Sequence, residues 1–190
     1  LANHRVLRCG EARAPCFGPG FGEATAPAGP STWYQQAMEI REASIEDGEA
    51  ACEVIRRSII ELCAADHQGD AAQLAAWLDN KTPDNVRSWI AHADNSFLVA
   101  VEQDVIVGVA AATKAGEITL NYVAPEARLR GVSRALLGAL ESRARARGNP
   151  RCTLTSTATA LPFYVANGYV EDGAAARCGT GYRMSKVLVV

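Results

Sequence analysis

The sequence predicts an α+β fold in which antiparallel strands lead into a helix. Residues Phe97–Val101 and Val105–Thr113 are apolar and β-branched, and only Glu102-Gln103-Asp104 separates them, which is the pattern of a hairpin. Lys114-Ala115-Gly116 then turns the chain into a third strand that starts at Glu117 and ends near Pro125, a residue that cannot continue a ladder. From Val132 the apolar positions Val132, Leu136, Ala139 and Leu140 recur at helical spacing. Three antiparallel strands feeding one helix exclude a doubly wound βαβ repeat.

The other elements follow in order. Glu39–Ala43 is a first strand and Ser44–Gly48 a turn; Glu49–Ala65 is a helix that puts Ala51, Ile55, Ile59 and Leu62 on one face. Asp66–Asp70 breaks it. A second helical stretch carries Leu74, Trp77 and Leu78, and a third starts at Thr82-Pro83, a capping residue followed by proline at the first helical position. That third helix runs through Val86, Trp89 and Ile90. Gly148-Asn149-Pro150 stops the long helix, Arg151–Ser156 is a further strand, and Tyr169–Glu171 with Tyr182–Leu188 complete the sheet. Residues 1–37 hold five glycines and four prolines without a hydrophobic period, so a disordered leader is expected there, with Met38 as the physiological start and the folded domain spanning 38–190.

A chain of 190 residues, 48% hydrophobic and 21% charged, is long enough to bury a core. The net charge of −2 argues against a general nucleic-acid surface. Even so, seven of the 19 Lys and Arg residues fall between Arg128 and Arg151, where Glu141 is the only acid. Arg143, Arg145 and Arg147 among them complement the C-terminal dipole of their helix. The six cysteines show no paired spacing of zinc or redox type, and reduced thiols in a cytoplasmic protein are the simplest account. Cys63, Asp66 and His67 lack a second cluster to complete a metal site, so no metal is expected. No apolar run approaches the roughly 20 residues of a membrane-spanning helix.

The turn between Pro125 and Val132 carries the chemistry. A helix that begins near Gly131 leaves its first N–H groups unpaired at the positive end of its dipole, and such groups bind phosphate. Arg128, Arg130 and Arg134 flank that end and suit a ligand with several phosphates. On this segment alone, an ordinary strand-turn-helix connection with solvated arginines is an equal alternative.

The run Tyr122-Val123-x-Pro125-x-x-Arg128-x-Arg130-Gly131-Val132-Ser133-Arg134-Ala135-Leu136-Leu137 resembles the acetyl-CoA pyrophosphate loop of the GNAT superfamily of N-acetyltransferases. That pattern, Arg or Gln, two residues, Gly, one residue, then Gly or Ala, reads here Arg128, Gly131, Ser133. Ser133 departs from it, and Leu129 replaces a frequent glycine; neither removes a backbone N–H. Downstream, Thr157-x-x-Ala160-x-x-Phe163-Tyr164-x-x-x-Gly168-Tyr169 resembles the second motif of the superfamily, with Thr157 where Asn is usual. The resemblance spans Met38–Val190. It implies the GNAT fold, a mixed and mostly antiparallel central sheet flanked by helices, in which strand 151–156 lies parallel to the strand that starts at Glu117 and splays from it around the thioester. It implies acetyl-CoA as co-substrate, held by Tyr122, Val123, Arg128, Leu129, Arg130, Gly131, Val132, Ser133, Arg134, Thr157, Ala160 and Phe163. The helices between residues 49 and 91 would form a wall of the acceptor cleft, with Asp66, His67, Trp77 and Trp89 as candidates to shape it; for the two tryptophans a place in the core is the stronger alternative.

Acyl transfer from a thioester to an amine needs a deprotonated amine, stabilisation of the developing oxyanion and a proton for the departing thiolate. A strand N–H near Tyr122 or Val123, freed by a bulge, would take the oxyanion. Tyr164 would protonate the thiolate, or else is a packed core aromatic. Glu117, eleven positions before Arg128, matches the spacing of the catalytic glutamate in histone acetyltransferases of the superfamily; it is either the base or a solvated strand-end carboxylate. Strand alternation puts Asn121 on the same face as Glu117 unless a bulge intervenes, which would let Asn121 orient the substrate. The expected activity is transfer of acetyl to a primary amine of a small molecule or peptide, with an acyl-CoA-binding module without turnover as the alternative. A dinucleotide site lacks the full Gly-x-Gly-x-x-Gly fingerprint, and a P-loop lacks Gly-Lys-Ser/Thr. Monomer and homodimer both stay open.

Overall fold

The computed structural model of the chain describes residues 38–173, 177–178 and 181–188, and the expected leader, residues 1–37, lies outside them. Its strands are β1 (Glu39–Glu42), β2 (Asn95–Glu102), β3 (Val105–Thr113), β4 (Glu117–Val123), β5 (Arg151–Ser156), β6 (Val170–Glu171), β7 (Arg177–Cys178) and β8 (Gly181–Val187). They form one sheet in the order β1-β2-β3-β4-β5-β8-β6, with β7 also paired to β8. Every pairing is antiparallel except β4 with β5. The helices are α1 (Gly48–Arg57), α2 (Ala64–His67), α3 (Ala71–Leu78), α4 (Pro83–Ala91), α5 (Val132–Ala146) and α6 (Leu161–Ala166). No helix among the described residues is long and apolar enough to cross a membrane.

Local chemistry explains most of the boundaries. Gln103 and Asp104 both adopt positive φ, 50° and 62°, which closes the β2–β3 hairpin with a two-residue turn whose twist matches the strands. Asp70 caps α3 by accepting from the Ala72 and Gln73 amides at 2.8 and 3.1 Å. Thr82 caps α4 through the Asn85 amide, with Pro83 in the first turn as the sequence predicts. β3 is buried from Ile106 to Ala112, so both faces of the sheet are covered at its centre. Gly108 is where α5 comes closest: a Cβ there would lie 2.5 Å from Val132 Cγ1 and 2.9 Å from Leu136 Cδ1. Glycine is the residue that lets the helix sit down on the strand.

Two departures from regular geometry shape the site. The expected single helix Glu49–Ala65 instead ends as α-helix at Arg57 and widens into a π-helical turn, Ser58–Leu62, before α2 begins. The widened turn carries Leu62 out of the core stripe, so it is half-buried where Ile55 and Ile59 are fully buried. α2 in turn occupies part of the expected break and ends where Gln68 and Gly69 take positive φ. In β4, Leu120 faces Ala111 while Ile118 faces Ala112, which makes Thr119 the extra residue of a bulge. The bulge reverses the alternation: Asn121, opposite Ala110, shares the α5-facing side with Ile118, and Glu117 is on the other side. β4 and β5 pair only at Glu117↔Thr153 and Ile118↔Leu154, then part company.

Candidate active site

The divergence of β4 and β5 opens a cavity of about 570 Å³. Its walls come from both sides of the sheet: the π-turn and α3 on one, and the start of α5 and the β5–α6 segment on the other.

At the α5 end, Gly131 caps the helix at φ 87° and supplies no capping side chain. The first bond of the helix runs from the Ala135 amide to the Gly131 carbonyl at 3.0 Å. The amides of Val132, Ser133 and Arg134 therefore have no acceptor within the helix, and all three residues line the cavity. Ion pairs fix the loop that precedes them. Arg57 at the end of α1 holds Glu126 with two bonds of 3.0 Å, and Arg130 holds Glu102 at 2.7 Å. Arg134 Nε donates to Asn167 Oδ1 at 3.2 Å, which ties α5 to α6. Arg128 lines the cavity and forms no ion pair with a described residue. Leu129, also on the wall, has φ 63° and is 94% exposed, a strained conformation for a residue with a branched side chain.

At the opposite end stands Tyr164 of α6. It is 8% exposed, lines the cavity, and meets the rings of Phe163 and Tyr169 edge-on at 5.1 and 5.7 Å. Burial pushes its phenol up to about 12, a rise that the neighbouring Asn121 side chain opposes. Asn121 Nδ2 donates to the Ser133 carbonyl at 3.4 Å, while its Oδ1 is buried without a hydrogen-bond partner among the described residues. Tyr122 and Val123 line the cavity, as do Thr157, Ala160 and Phe163. The Thr157 hydroxyl accepts from the Ala160 amide at 3.3 Å and so helps start α6.

Other residues singled out in the sequence lie elsewhere. Glu117 is exposed at the end of β4 that pairs with β5, outside the lining residues, and its amide donates to Thr113 Oγ1. Asp66 is not on the wall but touches it, Oδ1 accepting from the Thr159 amide at 3.0 Å across 93 positions of sequence. His67 is buried, with Nδ1 accepting from the Gly69 amide and Nε2 unpartnered. Trp89 and Trp77 both pack partly buried against the core, Trp89 with Lys81 Nζ 5.7 Å above its ring, and Trp77 also lines the cavity. Ser58, Leu62 and Cys63 are wall residues that sequence reasoning did not single out as such, because a π-turn leaves no mark on hydrophobic spacing. Among the described residues no group of His, Cys, Asp and Glu is arranged to hold a metal ion.

Burial raises the pKa of several thiols and phenols, some at the cavity and some elsewhere in the core. The Cys63 thiol is pushed up to about 11, with Asp66 adding to the effect, and the phenols of Tyr122 and Tyr169 and the thiols of Cys52 and Cys152 are also raised by burial. The folded state holds these protons more tightly than the unfolded chain does. The resulting stability is complete below the ordinary thiol and phenol values, about 8.5 and 10, and is lost as pH rises through the folded values. The expected outcome is a melting temperature that falls from about pH 9 upward. A thermal-shift series from pH 7 to 11 checks it, and a flat profile would contradict it.

The family model described as an acetyltransferase (GNAT) domain matches residues 63–186. Among solved structures, the PaiA N-acetyltransferase of Thermoplasma acidophilum in complex with coenzyme A is 22% identical, with a TM-score of 0.69 over 80% of this chain and 99% of that one. A GCN5-related N-acetyltransferase of Rhodopseudomonas palustris is 27% identical at the same TM-score, covering 80% and 96%. An aminoglycoside 6′-N-acetyltransferase complexed with coenzyme A shares the fold at 16% identity and a TM-score of 0.60, covering 80% and 98%. No curated protein matches the chain. The chain belongs to the GNAT acetyltransferase family.

Proposed function

We propose that this protein is an N-acetyltransferase that takes acetyl-CoA as its acyl-donor substrate and transfers the acetyl group to a primary amine by direct attack. The observation that carries this is the meeting, on one cavity, of an uncapped helix N-terminus and a buried tyrosine at a parting of two strands. The amides of residues 132–134 with Arg128, which has no ion pair among the described residues, suit the pyrophosphate, and Leu129, Thr157, Ala160 and Phe163 frame the donor, while Arg130 is outside the lining residues and bonds to Glu102. Amides of β4 near Tyr122 and Val123, next to the bulge, would receive the carbonyl oxygen. The amine nitrogen forms its bond to the acetyl carbon as the carbon–sulfur bond breaks. Tyr164, still protonated at every working pH, gives its proton to sulfur and regains one from the proton the nitrogen sheds through solvent. Thiol release from acetyl-CoA with an amine panel tests this directly.

A second reading, donor binding without turnover, is favoured by one feature: no carboxylate or imidazole is among the described lining residues. Under the catalytic reading, that feature makes the acceptor's own pKa set the pH dependence. Glu117→Gln is therefore expected to leave the pH-rate profile in place, within about twofold. A variant slowed at neutral pH and restored as pH rises would make Glu117 the base.

A further inference from the structure

On the footing of that acetyltransferase reading, we infer that the acceptor is an arylalkyl primary amine with no second positive charge, bound against Trp77, Tyr122 and Leu62. The wall of the cavity on the side of the π-turn is aromatic and aliphatic. Trp77 of α3 and Tyr122 of β4 are both on it, the indole near enough to oppose the burial-driven rise of the phenol, and Leu62, Leu120 and the Cys63 thiol complete that wall. Such a surface takes up an aromatic ring, and to a second ammonium it offers a ring face at most, with no carboxylate among the described lining residues to pair it.

Charge points the same way. No described lining residue is acidic, while Arg128 and Arg134 are both on the wall. The carboxylates at the rim of the phosphate loop, Glu126 and Glu102, are already bonded to Arg57 and Arg130. Asp66, the acid that reaches the wall, has one oxygen engaged by the Thr159 amide. A polyamine, an aminoglycoside or a lysine-rich segment would have to leave water for a cavity with no carboxylate among its described lining residues to receive its remaining charges. A single reacting nitrogen needs something different, since it attacks as a neutral amine and requires an acceptor for an N–H. Asn121 Oδ1, buried beside Tyr164 and without a hydrogen-bond partner among the described residues, is such an acceptor.

The test measures thiol release by the full chain with acetyl-CoA and phenethylamine, spermidine, kanamycin or a lysine-rich peptide. Phenethylamine is expected to exceed each of the others at least 10-fold in kcat/KM per free amine. Trp77→Ala should lose most of that advantage through KM, with the acetyl-CoA thermal shift retained as evidence of folding, and Trp77→Phe should keep it. Preference for spermidine, kanamycin or the peptide would overturn the inference, as would an unaffected Trp77→Ala. Should no amine release thiol, the catalytic reading fails, and calorimetry on CoA-saturated protein decides the rest. Binding of phenethylamine and not spermidine would uphold this chemistry of the cavity; the reverse, or binding of neither, would overturn it.

Discussion

Tyr164→Phe is expected to lower kcat and kcat/KM together by about 10²-fold while leaving acetyl-CoA affinity unchanged. General acids contribute roughly 10²- to 10⁴-fold, and a thiolate is not very basic, which places the effect at the lower end. A proton delivered only as the carbon–sulfur bond breaks is an interaction of the transition state, so removing it spares ground-state binding. The environment suits the role. Burial keeps the phenol protonated up to about 12, and the ring is held edge-on by Phe163 and Tyr169, so the phenylalanine ring has the same seat. A purely structural hydroxyl would show the opposite pattern, a cost of about 1 kcal/mol in stability with turnover intact. Melting temperature, acetyl-CoA affinity and single-turnover kcat on one preparation separate the two. Lower stability with an unchanged chemical step would remove Tyr164 from catalysis.

Gly131→Asp is expected to abolish the thermal shift produced by acetyl-CoA. At 100 times its dissociation constant a ligand that binds only the folded state adds about 2.7 kcal/mol, which for a chain of this size is about 5–10 °C. A Cβ at Gly131 meets nothing within 4 Å, so the substitution does not clash with the fold. It does put a carboxylate beside amides that have no other acceptor, and a φ of 87° is costly for any residue but glycine. The protein should fold with a modestly lower melting temperature and no response to the ligand. Gly138→Asp, also unobstructed but further along α5, controls for the added charge and should keep the shift. A folded Gly131→Asp protein with a full shift would mean that the phosphates bind elsewhere.

Much of this architecture is legible in the sequence because single residues enforce it. Pro125 ends β4, Thr82-Pro83 starts α4, and Gly131 marks the start of α5. What escapes are changes of one residue in a repeat. The π-turn at Ser58–Leu62 and the bulge at Thr119 each add one position without altering composition, so apolar spacing looks the same with or without them. Yet the bulge decides that Asn121 turns toward α5 and Tyr164 while Glu117 does not, and the π-turn delivers Leu62 and Cys63 to the cavity wall. Long-range pairings are equally silent. Arg143 stands in the last turn of its helix, where it complements the dipole, and also reaches Glu42 of β1, while Asp66 bonds to a loop whose position depends on the whole sheet.

The short β4–β5 pairing also has a consequence for how the protein exchanges its amide hydrogens. Only two residue pairs join the strands, so amides of residues 119–123 that point into the opening have no ladder on that side. Their hydrogens should exchange with deuterium quickly, beside amides of the buried strand β3 that should exchange far more slowly. A donor seated between the strands would close that gap from within, and the slowing of exchange along 119–123 would trace its path through the sheet without any need for turnover.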